Sequence, residues 1–313
     1  MVIRCIVTGG AGFIGSHLIE RLLHDGHEVV CIDNYDRYYQ KQIKMENISP
    51  FFENPNFTCI EDDIQKSASL RDFFEGADYV FHQAAQAGVQ ISITNPEKSH
   101  DTNATGTLKV LIAARDAGVK KVINASSSSV YGKVKYLPFD EEHPTIPISP
   151  YGVSKLSSEH YCRVFEEIYG LNTISLRYFT VYGPRMRPDL AIHIFTQKAM
   201  AGEDIEIFGD GSKTRDYTYI DSAVEANVLA MKRGSGPFNI GGGHQISITS
   251  LADAINALHG GRSEIIYLPA KKGDAEHTLA NSNKAKKELG LSFNFTLEEG
   301  LKRYKQWVTS RYQ

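Results

Sequence analysis

Short β-branched segments alternate with longer helical patterns through the first half of the chain. The segments typical of strands are Ile3–Val7, Glu28–Ile32, Phe57–Ile60, Tyr79–His82, Lys121–Ala125 and Thr173–Tyr178. Helical patterns lie between them, near residues 14–24, 68–75, 98–117 and 153–169. Several of the strands are apolar at nearly every position, which is typical of a parallel sheet covered on both faces. This alternation predicts an α/β fold built on a doubly wound parallel sheet.

The pattern loosens after about residue 178, where prolines and glycines separate shorter elements. We predict a Rossmann-like domain from residues 1–178 plus about 214–240, and a smaller α/β region from residues 179–213 and 241–313. The segments of the smaller region interleave with late elements of the sheet, so a single clean boundary is not expected.

Composition narrows the class of protein. Hydrophobic residues make up 42% of the chain, and the formal charge is -3. That charge gives no basic surface for nucleic acid or anionic lipid, and no apolar run approaches the ~20 residues that span a bilayer. Cys5, Cys31, Cys59 and Cys162 are widely spaced and predict buried, reduced thiols without a metal site. We expect a cytoplasmic protein.

A glycine motif follows the first predicted strand and opens the first predicted helix. Gly9, Gly12 and Gly15 permit a tight turn and a close approach of backbone to a pyrophosphate, which the helix N-terminus also attracts. An isolated motif of this kind is as often a plain strand–helix turn. Here Asp33 ends the second strand, where an acid accepts hydrogen bonds from the adenosine ribose and disfavours a 2′-phosphate. The pair predicts NAD as the cofactor.

Two later strand ends belong to the same predicted site. Asp63-Ile64 follows the third strand, where the adenine should lie, although an acid there can also serve only to cap a loop. Gln83-Ala84-Ala85 follows the fourth strand with small residues that let backbone approach the cofactor. His82 just before them is interpreted as a packed strand residue and not as a catalytic group.

Tyrosine and lysine separated by three residues form the candidate catalytic pair. The spacing occurs at Tyr131/Lys135, Tyr151/Lys155 and Tyr267/Lys271. Gly132 follows the first tyrosine, and Pro269 interrupts the third pair, so neither is expected to be helical. Only Tyr151 follows a helix start signal, Ser149-Pro150. On one helical face the Lys155 ammonium can favour the Tyr151 phenolate, a base for an alcohol proton.

The order of these motifs resembles the extended short-chain dehydrogenase/reductase superfamily, and within it the nucleotide-sugar 4-epimerases. The glycine motif comes first, then a serine run before Val130-Tyr131-Gly132, then Tyr151 with Lys155. The resemblance extends over nearly the whole chain, and its motifs together are highly specific.

The resemblance implies roles for individual residues. Ser127 would bond the 4-hydroxyl of the sugar, Tyr151 would be the base, and Lys155 its electrostatic partner and a ribose contact. Asn103 matches a cofactor-site asparagine. Further cofactor contacts implied by the family are Phe13, Ile14, Asn34 and Phe179.

A departure within the superfamily narrows the reaction. Related dehydratases have Asp-Glu, and related uronate decarboxylases a glutamate, where this chain has Ser128 and Ser129. Without that acid, loss of water or carbon dioxide lacks its acid/base partner. The reaction left is reversible oxidation at carbon 4, rotation of the 4-keto sugar and return of the same hydride to its other face, with NAD regenerated in each cycle.

The second half resembles the family's nucleotide-binding segments. Arg215, in the stretch from Phe208 to Tyr217, would bind the diphosphate by bidentate hydrogen bonds. Lys271 falls where the family uses a second basic residue, and Asp274 would meet the uridine ribose.

The stretch from Arg177 to Ala191 bears on the identity of the sugar. Thr180 stands where many UDP-glucose epimerases have asparagine, and with Arg187-Pro188-Asp189 it resembles the UDP-glucuronate 4-epimerases. Ser128, Ser129 and Thr180 would then bond the substrate carboxylate, with Arg187 adding charge at longer range. Alternatively, Arg187 is a solvated loop charge.

We therefore expect a UDP-sugar 4-epimerase acting on UDP-glucuronate, as a homodimer formed by the helices after Asn103 and at Tyr151. UDP-glucose and UDP-N-acetylglucosamine remain alternative substrates, the latter because Thr278 is small where a bulky residue restricts the sugar pocket. A non-catalytic dinucleotide-sensing protein on the same fold is the remote alternative.

Overall fold

A computed structural model describes residues 2–271, 273 and 275–311. The strands in this part of the chain are β1 (Arg4–Thr8), β2 (Glu28–Asp33), β3 (Phe57–Glu61), β4 (Tyr79–His82), β5 (Lys121–Ser127), β6 (Asn172–Tyr178), β7 (Val181–Tyr182), β8 (Ile205–Phe208), β9 (Thr214–Asp216), β10 (Thr218–Tyr219), β11 (Gly236–Ile240), β12 (Gln245–Ser247) and β13 (Ile265–Leu268). The α-helices are α1 (Phe13–His24), α2 (Lys41–Ile48), α3 (Leu70–Phe74), α4 (Val89–Thr94), α5 (Pro96–His100), α6 (Gly106–Asp116), α7 (Pro150–Tyr169), α8 (Ala191–Ala201), α9 (Ile220–Lys232), α10 (Ile248–Leu258) and α11 (Leu297–Arg311).

Seven strands form one parallel sheet in the order β3-β2-β1-β4-β5-β6-β11. The predicted doubly wound fold is confirmed, and each of the six predicted strands is present within one or two residues of its expected ends. Chain order reverses between β1 and β4. In open sheets of this kind a ligand binds outside the carboxyl ends of the strands at that reversal.

Alternate residues of the strands feed two cores. In β1, Cys5 and Val7 pack into one apolar cluster with Leu18 and Ile19 of α1, whereas Ile6 packs into the other. All of these side chains are buried. Because successive strand residues face opposite sides, a run that is apolar throughout needs cover on both faces. Helices α1 and α9 pack together on one side, and α3, α6 and α7 on the other.

The helix that carries Tyr151 has defined signals at both ends. The Ser149 hydroxyl accepts a hydrogen bond from the Gly152 amide at 3.2 Å, and Pro150 is the first helical residue. Gly170 ends the helix in the left-handed conformation, with φ 69°. The predicted start signal is confirmed, and Tyr151 therefore lies in the first turn of α7. The two other Tyr-x-x-x-Lys pairs are not helical, since Tyr131 follows a 3-10 turn and Tyr267 lies in β13.

The helical pattern predicted near residues 98–117 is divided in the structure. Helix α5 begins after Asn95, whose side chain caps it, and a π-helical turn, Asp101–Thr105, joins it to α6. Periodicity alone did not show this change of helix type. The short helices α2 and α4 also lie outside the predicted segments.

The later part of the chain forms small two-stranded pairings. They are β7 with β10, β8 with β13, and β9 with β12. In contrast, β11 joins the edge of the large sheet beside β6. The division into two domains at the stated boundaries stays a prediction. No helix among the described residues is both long and apolar enough to span a membrane.

Candidate active site

A cleft of about 530 Å³ lies at the carboxyl ends of the strands where chain order reverses. It is lined by most of the residues predicted to bind the cofactor: Gly9, Gly12, Phe13, Ile14, Gly15, Asp33, Asn34, Asp63, Ile64, Gln83, Ala84 and Ala85. Tyr151, Lys155 and Arg187 line the same cleft. The structure thus brings the glycine motif, which follows β1, and the predicted catalytic pair, in the helix between β5 and β6, into the same cleft.

The glycine turn is too tightly packed for side chains. A Cβ on Gly9 would lie 2.6 Å from the amide nitrogen of Ala84, and the Gly9 φ of 68° is a left-handed conformation. A Cβ on Gly15 would lie 2.4 Å from the Gly9 carbonyl oxygen. Helix α1 begins after Gly12 without a side-chain cap and without an acid in its first turn. Such a helix start binds an anionic pyrophosphate well, so this cradle fits a dinucleotide.

Asp33 ends β2 with both carboxylate oxygens oriented by backbone. Oδ2 accepts from the Ala11 amide at 3.1 Å, and Oδ1 accepts from the Tyr35 amide at 2.8 Å. Lys44 of α2 lies 3.6 Å from Oδ1, and both side chains are buried. Sequence reasoning missed Lys44, because no spacing rule connects a lysine in α2 to the end of β2. The lysine places a positive charge beside this carboxylate, and the contact with ribose hydroxyls stays a prediction.

Loop contacts order the end of the cleft where the adenine is predicted to lie. Asn34 Nδ2 donates to Asp63 Oδ2 at 3.3 Å, and Asp63 Oδ1 accepts from the Gln65 amide at 2.9 Å. Asp63 therefore organises its own loop as well as lining the cleft. Across the opening, Lys98 forms an ion pair with Asp36 at 2.9 Å.

Two predicted cofactor residues lie behind the cleft wall. The Asn103 side chain, 1% exposed, accepts from the Gln86 amide at 2.8 Å and donates to Ser154 Oγ at 2.9 Å. It therefore joins the loop after β4 to α7. Phe179 is fully buried beside Tyr131. His82 is bonded through both ring nitrogens to hydroxyls, of Thr8 at 2.7 Å and Thr107 at 2.9 Å, which agrees with its prediction as a packed strand residue.

The phenol of Tyr151 interacts with the Ser127 hydroxyl, and this interaction acts to lower the pKa of the phenol. Ser127 ends β5, and its hydroxyl also accepts from the Ser129 amide at 3.1 Å. Helix α7 can approach this closely because Gly152 has no side chain, since a Cβ there would lie 2.4 Å from the Ser129 carbonyl oxygen. The structure thus brings the predicted base and the predicted 4-hydroxyl partner together.

Lys155 is buried one helical turn beyond Tyr151. Its ammonium donates to the Ala125 carbonyl at 2.7 Å, and burial lowers its pKa to about 8. Burial also raises the pKa of the Tyr151 phenol, while the charge of Arg187 and the interaction with the Ser127 hydroxyl oppose that rise. The action of the Lys155 charge on Tyr151 stays a prediction, and the charge of Arg187 also acts to lower the pKa of this phenol.

Arg187 is held by an ion pair and an aromatic ring. Its guanidinium meets both carboxylate oxygens of Asp189, at 2.9 and 3.1 Å, and lies 5.7 Å from the centre of the Tyr38 ring. The Tyr38 hydroxyl donates to the same carboxylate at 2.8 Å. Arg187 is therefore a paired, partly buried charge at the cleft, and its role toward the substrate stays a prediction.

The remaining predicted substrate residues are distributed over several elements. Ser128 and Ser129 lie in a 3-10 turn directly after β5, and Thr180 lies between β6 and β7; all three are half-buried. Arg215 lies in β9, where its Nη1 donates to the Thr214 carbonyl at 2.8 Å. Lys271 is exposed, with its ammonium 3.4 Å from the centre of the Phe208 ring. Asp274 lies outside the described residues.

Comparison with known proteins agrees with this geometry. A family model described as the NAD dependent epimerase/dehydratase family matches residues 5–241. A UDP-glucuronate 4-epimerase of Thermodesulfobacterium geofontis is 38% identical, over 96% of this chain and 95% of the relative.

Two solved structures have nearly the same fold. One is a UDP-glucuronic acid 4-epimerase from Bacillus cereus in complex with UDP-glucuronic acid and NAD (TM-score 0.94, 35% identity, 99% of this chain and 100% of that one). The other is a UDP-glucose 4-epimerase from Thermotoga maritima with UDP-glucose (TM-score 0.93, 38% identity, 99% and 100%). The glycine cradle and the oriented Asp33 fit NAD as the resident cofactor. The chain therefore belongs to the NAD dependent epimerase/dehydratase family.

Proposed function

We propose that this NAD-dependent UDP-sugar 4-epimerase interconverts UDP-glucuronate and UDP-galacturonate. The observation that carries the proposal is the Tyr151–Ser127 pair, set beside a turn that supplies hydroxyls where related enzymes with other reactions have an acid. A base paired with a hydroxyl can move a proton at one carbon. It has no second acid with which to expel water or carbon dioxide.

The steps assigned to this chain are proton transfers and positioning. Tyr151 takes the proton of the 4-hydroxyl while Ser127 holds that oxygen, and Lys155 and Arg187 stabilise the phenolate by their charge. NAD, when bound, accepts the hydrogen of carbon 4 as a hydride and later returns it. The 4-keto sugar turns about its link to the diphosphate and presents its other face. Tyr151 then gives its proton back to the carbon-4 oxygen.

A uronate carries a carboxylate that the site must accept. Ser128, Ser129 and Thr180 are half-buried donors near the reacting residues, and a hydroxyl can bond a carboxylate without exchanging a proton at neutral pH. Arg187 contributes a positive charge on the same side as Tyr151. Because Asp189 balances this charge, the hydroxyls are expected to carry most of the recognition.

The nucleotide would be bound by the second half of the chain. Arg215 is suited to the diphosphate, and Lys271 to a second phosphate contact beside the exposed Phe208 ring. Burial of a phosphate against these cations would orient the sugar toward Tyr151.

UDP-glucose and UDP-N-acetylglucosamine are the competing substrates. The first is favoured by similarity to the Thermotoga maritima enzyme. UDP-N-acetylglucosamine was kept as an alternative because Thr278 is small, and the structure weakens that argument. Thr278 is buried, and its hydroxyl accepts from the Asp216 amide at 3.2 Å, so the side chain is committed to the fold.

We also propose a homodimer that works in the cytoplasm. Support for the dimer comes from Ile112 of α6 and Val153 of α7, which are exposed apolar residues on the two helices expected to form the interface. Support for the cytoplasm comes from the four cysteines, which are all free thiols. Sedimentation at micromolar concentration should show a dimer, which Ile112→Glu should weaken. Ile194→Glu, on the exposed face of α8, is the matched control. A monomer in the unaltered protein would contradict the proposal.

The experiment that tests the substrate is a comparison of kcat/KM for UDP-glucuronate, UDP-glucose and UDP-N-acetylglucosamine with one preparation of enzyme. We expect UDP-glucuronate to exceed the other two by at least about tenfold, the difference that ~1.4 kcal/mol of transition-state binding produces. Equal or greater kcat/KM for UDP-glucose would replace the proposal with its first alternative.

A further inference from the structure

A buried ion pair lies directly behind the 3-10 turn Ser128–Val130, which we call the serine turn. Arg177 of β6 and Glu159 of α7 meet through two hydrogen bonds, Nε to Oε1 at 2.9 Å and Nη2 to Oε2 at 2.7 Å. Their side chains are 5% and 9% exposed. Within the described part of the chain, neither is among the residues that line the cleft. Since two apolar residues are often as stabilising as a buried ion pair, this pair requires another explanation.

Both ends of the serine turn are bonded to this one ion pair. Ser126, which precedes Ser127, donates from its hydroxyl to Glu159 Oε1 at 2.5 Å. Tyr131, which directly follows the turn, accepts from Arg177 Nη1 at 2.9 Å. The Tyr131 hydroxyl continues to Asn239 of β11 at 2.6 Å. The turn that carries the substrate hydroxyls is therefore anchored before and after.

The ion pair also connects the other two reactive segments. Glu159 lies one helical turn beyond Lys155 and two beyond Tyr151, on the same face of α7. Arg177 is opposite Ser126 in the β5–β6 register and stands three residues before Thr180. A shift of the pair would therefore change the position of the serine turn relative to α7.

We propose that Glu159 and Arg177 are positioning residues that hold the serine turn in register with α7, so that the Ser127 hydroxyl keeps its place beside the Tyr151 phenol. The inference rests on the proposed roles of Ser127 and Tyr151. Neither charged residue touches the substrate. They act through the hydroxyls of Ser126 and Tyr131.

The test removes one hydroxyl at each end and leaves the ion pair intact. Ser126→Ala and Tyr131→Phe should each lower kcat by about tenfold, what the loss of one ordinary hydrogen bond costs, with KM and bound NAD within about twofold of wild type. Release of either end is enough to free the turn. The kcat of the variant with both substitutions should therefore be at most about threefold below that of the slower single variant. Two independent defects would multiply to about a hundredfold loss.

Ser175→Ala is the matched control. Ser175 is equally buried, lies on β6 beside Arg177, and accepts a side-chain hydrogen bond from Asn124 at 3.1 Å, outside the network. It should lower the melting temperature about as much as Ser126→Ala and leave kcat unchanged. Should Ser126→Ala fail to fold, Tyr131→Phe decides the question by itself.

Two choices separate this inference from the proposed function. Rates are measured with whichever UDP-sugar the wild-type enzyme epimerises fastest, so a wrong substrate does not affect the comparison.

The ionisation of Tyr151 is followed without substrate, as the ultraviolet difference between each protein and its Tyr151→Phe counterpart. Because the Ser127 hydroxyl acts to lower the pKa of this phenol, release of the serine turn in either hydroxyl variant should raise that pKa, and Ser175→Ala should leave it unchanged. The proposal would be overturned if the hydroxyl variants kept both the wild-type kcat and the wild-type ionisation of Tyr151, or if they changed only KM. It would also be overturned if the losses in kcat of the two single variants multiplied in the double variant.

Discussion

Tyr151 and Ser127 belong to different elements, the first turn of α7 and the last residue of β5, yet lie close enough that the Ser127 hydroxyl acts to lower the pKa of the Tyr151 phenol. Twenty-three residues of chain between them form the serine turn and a long loop. The meeting depends on Gly152, whose missing side chain lets α7 contact the Ser129 carbonyl. In the proposed reaction, this contact would combine proton transfer with orientation of the substrate.

Tyr151→Phe should reduce kcat by about a thousandfold, within the range of a lost general base, while bound NAD is retained. The ring keeps its packing, and only the phenol is lost. Tyr169→Phe, on the same helix but half exposed, should leave the rate unchanged. Initial rates and the NAD released on denaturation measure both effects. Full activity in Tyr151→Phe would revive the non-catalytic alternative.

Gly9→Ala should lower NAD affinity by at least about tenfold, because its Cβ would push Ala84 backbone out of the cradle. Gly118→Ala is a close control. Its φ of 71° resembles the 68° of Gly9, but nothing lies within 4 Å of its Cβ. Both substitutions carry the same backbone strain, on the order of 1 kcal/mol, so only Gly9→Ala should change the dissociation constant of NAD. Equal affinities in the two variants would contradict the role assigned to the turn.

Acid should destabilise the protein through His17. Its Nε2 is hydrogen-bonded to the Pro184 carbonyl at 2.8 Å, and burial lowers its pKa from 6.5 to about 4. A folded pKa below the unfolded value means that this contribution is full above pH 6.5 and is lost as the pH falls toward 4. By pH 5 the loss in free energy of unfolding should be about 2 kcal/mol.

His17→Gln keeps a donor for Pro184 and does not titrate in this range, so its stability should fall less between pH 7 and pH 5. His24→Gln, at a largely exposed histidine of the same helix, should retain the wild-type dependence. Denaturant unfolding at several pH values distinguishes the two. Parallel curves for His17→Gln and wild type would show that other groups control the acid limb.

Much of this site could be predicted because its signals are local. Three signals each lie within one segment: the glycine spacing, the acid at the end of β2, and the helix start before Tyr151. The structure has the tight turn, the strand end and the helix that they predicted. Contacts between distant segments had no such signal. Lys44 beside Asp33 and Arg187 near Tyr151 depend on how loops meet across the cleft, which periodicity and spacing do not describe.

Cys59 shows the same limit on a smaller scale. A predicted strand suggested a buried thiol, but β3 is the edge of the sheet, and Cys59 is only partly buried. Strand order decides this exposure, and sequence reasoning did not supply it. The small size of Thr278 suggested a sugar pocket open to UDP-N-acetylglucosamine. The sequence did not show that the Thr278 hydroxyl accepts a hydrogen bond from the Asp216 amide, which holds the side chain in the fold.

Arg187→Met should affect UDP-glucuronate more than UDP-glucose. Both rates should fall because the charge that lowers the Tyr151 pKa is removed, and the loss for the uronate should be about tenfold greater. Arg185→Met is the control, since Arg185 pairs with Glu20 of α1 and not with the Tyr38–Asp189 group. The ratio of the two kcat/KM values is the measurement. Identical losses for both sugars would remove Arg187 from carboxylate recognition.

Conversion of UDP-glucuronate in deuterated water, followed by proton NMR, tests the central claim most directly. The account predicts UDP-galacturonate with ordinary hydrogen still on carbon 4, since that hydrogen leaves and returns within the closed site, and it predicts no carbon dioxide. A UDP-pentose with release of carbon dioxide would contradict it. So would an enzyme that leaves UDP-glucuronate unchanged while it epimerises UDP-glucose.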